Sequence, residues 1–189
     1  MSEKCYLDAQ ALLEDSWRLG AMVETSGFRP DFIVAIWRGG VPVGIALQEF
    51  LACFGHKPDH IAIRTTSYEG IDQQHSAVRV YGLNYLIKHV SFEQSLLIVD
   101  DVFDTGRSIE AVIKGVQRQA RRNMPADIRV AVPYYKPNRN QTNRVPDYYV
   151  HETDLWLKFP HSLEGLTPEE IARHRPNLAR ILAGAKGEL

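Results

Sequence analysis

A run of four apolar residues, Leu96 to Val99, ends in two adjacent carboxylates, Asp100 and Asp101, and Asp104-Thr105-Gly106-Arg107-Ser108 follows close behind. Gly106 lets backbone N–H groups converge on one point. Thr105 and Ser108 add hydroxyl donors, and the start of the helix that follows carries a partial positive charge. Together these parts build a cradle for a phosphate. Two carboxylates at the end of a strand can accept hydrogen bonds from a pair of neighbouring hydroxyls. A phosphate cradle beside a diol site describes a pocket for ribose 5-phosphate. On the residues alone a second reading stays open: an ordinary strand-end turn, with Asp104 or Thr105 as a helix cap.

Other stretches could act on the same ligand. Arg38-Gly39-Gly40 follows a short apolar run. Its glycines let N–H groups approach an anion and Arg38 supplies charge, although the same residues also make a simple tight turn. The stretch from Arg64 to Ala77 is polar and without period, and reads as a surface loop long enough to form a lid. Lys136 and Trp156 taken singly read as a solvated charge and as packing of a small lobe.

Alternating elements must position these residues. The spacing predicts a helix over 7–24, a buried strand at Phe32–Trp37, a helix over 41–54 and a strand at 60–64. A strand at 78–81, a short helix at 83–89 and the clearest strand, Leu96–Asp101, come next. Ile109, Val112, Ile113 and Val116 then mark an amphipathic helix, and Ile128–Tyr135 a further strand. Such alternation argues for an α/β fold, a mostly parallel twisted sheet flanked by helices, whose ligands bind beyond the carboxyl ends of the strands. The loops after Trp37, Val99 and Tyr135 lie at such ends. Residues 136–166 read as a small hood lobe beside a core of about 28–135. Thr167-Pro168-Glu169-Glu170 opens a C-terminal helix over about 167–185. The whole chain, 1–189, is expected to be one domain.

The net charge of −1 supplies no basic field for nucleic acid, and Arg118, Arg121 and Arg122 read as a solvated helix end. Cys5 and Cys53 are too few for a disulfide framework, and no Cys/His spacing suggests zinc. With neither an apolar leader nor an apolar run of about 20 residues, the expectation is a cytoplasmic protein with no membrane partner.

The segment from Leu96 to Ser108 resembles the PRPP (phosphoribosyl pyrophosphate) motif of type I phosphoribosyltransferases at every position, Val102 and Phe103 included. Tyr135-Lys136-Pro137 followed by Asp154-Leu155-Trp156-Leu157 resembles the hood of the xanthine-guanine and hypoxanthine-guanine enzymes. The resemblance covers roughly residues 30–166. It implies a purine salvage enzyme that transfers phosphoribosyl from PRPP to N9 of a 6-oxopurine and releases pyrophosphate, with Mg²⁺ as cofactor and a homodimer or homotetramer as assembly. It implies that Asp104 takes a proton from purine N7. Asp100, Asp101, Thr105, Gly106, Arg107 and Ser108 would hold the ribose and 5-phosphate, with Asp101 near the metal. Arg38, Gly39, Gly40, Arg64, Ser67 and Tyr68 would meet pyrophosphate, with a cis peptide near Arg38-Gly39. Lys136 would donate to the 6-oxo group, Trp156 would stack on the ring, and Leu157 would offer its backbone. The chain departs from relatives at Thr66, where some have lysine. It departs again at Phe159-Pro160-His161-Ser162, where the first acid is Glu164. The competing readings are a nucleotide-sensing or RNA-binding regulator on the same fold, and a phosphoribosyltransferase for another base.

Overall fold

A computed structural model describes residues 4–68 and 77–185, the side chains of Ser67, Tyr68 and Ala77 excepted. The chain divides into a larger unit, Gln10–Asp154, and a smaller one made of both ends, up to Ala9 and from Leu155. In chain order the elements are β1 (Lys4–Tyr6), α1 (Ala9–Thr25), β2 (Phe32–Trp37), α2 (Gly40–Ala52), β3 (Asp59–Tyr68), β4 (Ala77–Tyr81) and α3 (Asn84–His89). They continue with β5 (Ser95–Val99), β6 (Val102–Phe103), α4 (Arg107–Ala120), β7 (Asp127–Tyr135), β8 (Tyr148–Glu152), β9 (Trp156–Lys158), α5 (Pro168–His174) and α6 (Pro176–Ala185).

The larger unit is built on one sheet in the order β4-β3-β2-β5-β7-β6, with β8 also paired to β7. Every pairing in it is parallel except β3 with β4. The central strands are continuous apolar runs because helices cover them, as parallel sheets require. Val34, Leu96, Ile98, Val130 and Val132 are buried, and α4 lays Ile109, Val112, Val116 and Ala120 on them at helical spacing. Asp15, on α1, is 2% exposed. It is tolerated there because Arg18 Nη1 lies 2.6 Å and His151 Nε2 2.8 Å from its oxygens.

Two elements differ from the sequence reading. β3 runs on to Tyr68 where a loop is expected, pairing with β4 from Arg64↔Tyr81 to Tyr68↔Ala77. A two-stranded arm needs no buried face, so β-branched Thr65 and Thr66 favour strand without apolar alternation. The remainder of the expected loop, 69–76, lies outside the described residues. Tyr148–Glu152, read as part of an irregular lobe, is a strand of the main sheet. Asp147 Oδ2 anchors its start by accepting from the Val130 N–H at 2.8 Å.

In the smaller unit β1 pairs in parallel with β9, Lys4 opposite Trp156 and Cys5 opposite Leu157. The tail forms two helices where one is expected, since Pro176 has no N–H to donate and restricts Arg175 before it. Thr167 and Glu170 form the anticipated capping box. Glu170 also accepts from Lys4 Nζ at 2.5 Å and Tyr6 Oη at 2.9 Å. Lys4, and next the Thr167 N–H, hold its carboxyl down to about 2. The tie is therefore present above the ordinary carboxyl range and is lost only as pH falls toward 2. Among the described residues no helix is long and apolar enough to cross a membrane.

Candidate active site

Three loops meet at the carboxyl edge of the sheet, after β2, β5 and β7. The first holds Arg38, Gly39 and Gly40. Both glycines are buried and Arg38 is exposed. A Cβ at Gly39 would run into the Asp101 carboxylate, and one at Gly40 into the Val99 carbonyl and the Asp100 backbone. Only glycine lets this loop lie directly against the acid pair. The cis peptide falls at Trp37-Arg38, one bond before the expected position.

β5 ends at Val99, so Asp100 and Asp101 stand just past the strand rather than within it. The Asp101 N–H donates to Asp100 Oδ1 at 3.0 Å. Burial pushes the Asp100 carboxyl well above the ordinary range, and the neighbouring Asp101 carboxylate adds to the effect. For an acid the sign is unfavourable. The cost sets in above the ordinary carboxyl range, where the unfolded chain ionises freely, and it persists at neutral pH. Asp100→Asn keeps an acceptor for the Asp101 N–H and removes the charge. The protein is then expected to melt about 2–4 °C higher for each ~1 kcal/mol relieved. A thermal melt checks this, and a lower Tm in the variant would contradict it.

The loop over 104–108 is shaped by Gly106, which sits at φ +76° and caps α4. A Cβ there would come within 2.7 Å of the Phe103 ring and of Thr142 Oγ1. Thr105 and Ser108 are half-buried and Arg107, the first residue of α4, is exposed. A brace that the sequence reading missed fixes the loop from behind. The Gln141 N–H donates to the Thr105 carbonyl at 3.0 Å. Asn140 holds Thr142 through Oδ1 at 2.9 Å and the Tyr135 hydroxyl through Nδ2 at 3.2 Å. Nothing in Asn-Gln-Thr as a local pattern signals this, because Thr105, the residue it braces, is more than thirty residues earlier.

Asp104 faces two cations. Lys136 Nζ lies 3.3 Å from Oδ2, and Arg139 Nε 2.6 Å from Oδ1. The Arg139 approach is an ion pair without hydrogen-bond alignment. Lys136 is only 3% exposed, so it is not the solvated surface charge its residue type suggests. Its N–H donates to the Phe103 carbonyl at 2.9 Å, which fixes the end of β7 beside the Gly106 loop. Arg139 was not anticipated; its place one turn after Lys136 was the available signal. The structure thus brings Asp100, Asp101, Asp104, Thr105, Gly106, Gly39, Gly40 and Lys136 to one edge of the larger unit.

Arg38, Arg107 and Ser108 belong to the same loops, whereas Arg64, Ser67 and Tyr68 lie on β3. Arg64 is exposed on β3 opposite Trp37, its guanidinium 6.0 Å from the Tyr81 ring centre. The backbones of Ser67 and Tyr68 end β3, and their side chains lie outside the described residues. Trp156 and Leu157 belong to the smaller unit, on β9. Trp156 is 46% exposed, so it is not a core residue there. Lys158 Nζ lies 5.9 Å from its ring centre and donates to the Glu164 carbonyl at 2.9 Å.

Residues 4–166 match the phosphoribosyl transferase domain family. No curated protein sequence matches the chain. Among solved structures, a purine phosphoribosyltransferase from Pyrococcus horikoshii Ot3 is 27% identical, with a TM-score of 0.70 over 87% of this chain and 97% of its own. A hypothetical protein from Neisseria gonorrhoeae with bound ppGpp is 20% identical, with a TM-score of 0.72 over 96% and 98%. The Helicobacter pylori xanthine-guanine-hypoxanthine phosphoribosyltransferase is 20% identical, with a TM-score of 0.60 over 84% and 92%. With a matched domain that spans most of its length and a mostly parallel sheet flanked by helices, the chain belongs to the phosphoribosyltransferase family and has the type I fold.

Proposed function

We propose that this protein joins a 6-oxopurine to the phosphoribosyl group of PRPP. The observation that carries the reading is the buried Lys136 placed 3.3 Å from Asp104, beside the phosphate loop. A 6-oxopurine protonated on N7 presents an acceptor, the 6-oxygen, next to a donor, the N7 hydrogen. Lys136 is a donor and Asp104 an acceptor, so the pair matches that edge in order. Asp104 takes the N7 proton, which leaves N9 electron-rich for attack on the anomeric carbon as that carbon gains oxocarbenium character. Thr105, Gly106, Arg107 and Ser108 hold the 5-phosphate, and Asp100 and Asp101 the ribose hydroxyls. Arg38, the Gly39 and Gly40 backbone, Arg64, Ser67 and Tyr68 are assigned to pyrophosphate. Trp156 and Leu157 are assigned to the base on sequence pattern alone.

Mg²⁺ when bound would neutralise the departing pyrophosphate, with Asp101 and Asp100 as its protein neighbours. Two carboxylates supplemented by substrate oxygens suit Mg²⁺. Among the described residues no group of three or more His, Cys, Asp and Glu forms a cage, in keeping with an ion that arrives with PRPP.

The test is one panel: protein, PRPP and Mg²⁺ with hypoxanthine, guanine, xanthine and adenine in turn, each repeated in excess chelator. Turnover of oxo bases that stops with the chelator is the expected result. Full turnover in chelator would remove the metal, and no turnover with any base would remove the enzyme. A second reading, a nucleotide-sensing module, draws on the ppGpp-bound Neisseria structure, which aligns over nearly the whole of both chains. Tight guanosine tetraphosphate binding without turnover would favour it.

A further inference from the structure

A groove of about 840 Å³ runs between the arm strand β4 and helix α4, lined by Val78, Arg79, Val80 and Tyr81 on one side and Arg107 to Gln119 on the other. Arg107, Lys114 and Arg118 fall on one face of α4, and Arg79 lines the groove from β4. All four cations are exposed. Among the described residues the groove's one carboxylate is Glu110, which pairs with Lys114 at 2.8 Å. A protein of net charge −1 therefore concentrates a strongly positive field in one cleft.

The geometry of the cleft narrows its ligand. From Arg107 to Arg118 the helix covers about 16 Å, and the volume falls within the range of about 300–1,000 Å³ typical of small-ligand sites. Tyr81 is 48% exposed and offers a flat face at the level where β4 pairs with Arg64. Arg107 belongs both to the groove and to the phosphate loop, so the line of cations continues from the proposed 5-phosphate site. We infer that this groove is a second binding site, for a nucleoside polyphosphate whose phosphates lie along Arg79, Lys114 and Arg118 and whose base rests on Tyr81. Occupancy couples to the phosphate loop through Arg107. The binding claim does not depend on catalysis; only the coupling rests on the proposed reading of the phosphate loop.

The experiment measures binding of adenosine triphosphate and of inorganic tripolyphosphate by calorimetry without PRPP. The Arg79→Glu/Arg118→Glu protein should bind adenosine triphosphate at least about tenfold more weakly, as expected when charge-assisted phosphate contacts reverse sign. Its melting curve serves as the check on folding, since both side chains are exposed. Glu110→Gln removes the opposing charge and should tighten binding, a gain that misfolding does not produce. Tyr81→Ala should weaken adenosine triphosphate binding but leave tripolyphosphate unchanged. Equal binding by wild type and the double variant, with stoichiometric displacement by PRPP, would place the nucleotide on the phosphate loop and overturn the proposal. Far tighter, variant-sensitive binding of a single-stranded oligonucleotide would also overturn it, in favour of a nucleic-acid groove.

Discussion

Wild-type protein is expected to use hypoxanthine, guanine or xanthine about 10⁴-fold better than adenine in kcat/KM, and Lys136→Ala to erase most of that gap. An ammonium group only donates. The oxo bases place an acceptor against it, whereas adenine places an amino group there, and two donors then face each other. Because Lys136 is 3% exposed, water does not relieve the mismatch. The alanine variant should lose the oxo bases much more than it loses PRPP affinity. The KM for PRPP separates the two effects, since a collapsed phosphate loop would raise it in step. Adenine used as well as hypoxanthine by the wild type would dismiss Lys136 as the selector while leaving the phosphate loop untouched.

Asp104→Asn should lower kcat by about 10² to 10⁴, the usual cost of losing a general base. The structure adds a condition that residue size alone does not suggest. Asp104 is the anion between Lys136 and Arg139, so the amide takes that negative charge away from beside a buried ammonium. Removing one partner of a fully buried pair costs about 3–5 kcal/mol. Asp104 is 32% exposed, so a fraction of that is expected, seen as a lower Tm. Rate is therefore measured well below the variant's melting range. Near-normal turnover there would sink the assigned role, however large the change in Tm. The double variant Asp104→Asn/Lys136→Ala separates the effects further, since it should regain stability without regaining rate.

The larger unit was legible because its signals are local. Phe32–Trp37 and the run to Val99 read as buried strands since every residue in them is apolar, and parallel central strands are covered on both faces. The phosphate loop was legible because Gly106 must take a positive φ that only its residue type makes easy. What stayed hidden depended on distant partners. Arg139, which pairs with Asp104, Gln141, which braces Thr105, and β8, which pairs with β7, all come from a stretch that reads as an irregular lobe. The long arm of β3 was misread for another reason: it has no apolar face, so period carries no information about it. Burial of Lys136 was suggested only by resemblance, since lysine by itself argues for solvent.

β1 and β9 come from opposite regions of the chain, Lys4 opposite Trp156. During synthesis β1 leaves the ribosome well before β9 and waits, unpaired, while roughly 150 further residues are made. All strands of the larger sheet have emerged before Trp156 does. The smaller unit thus closes last, as a long-range pairing that is slow by its nature. A chain that stopped after Asp154 would keep every strand of the larger sheet and leave β1 without its partner β9, so the smaller unit would stay open.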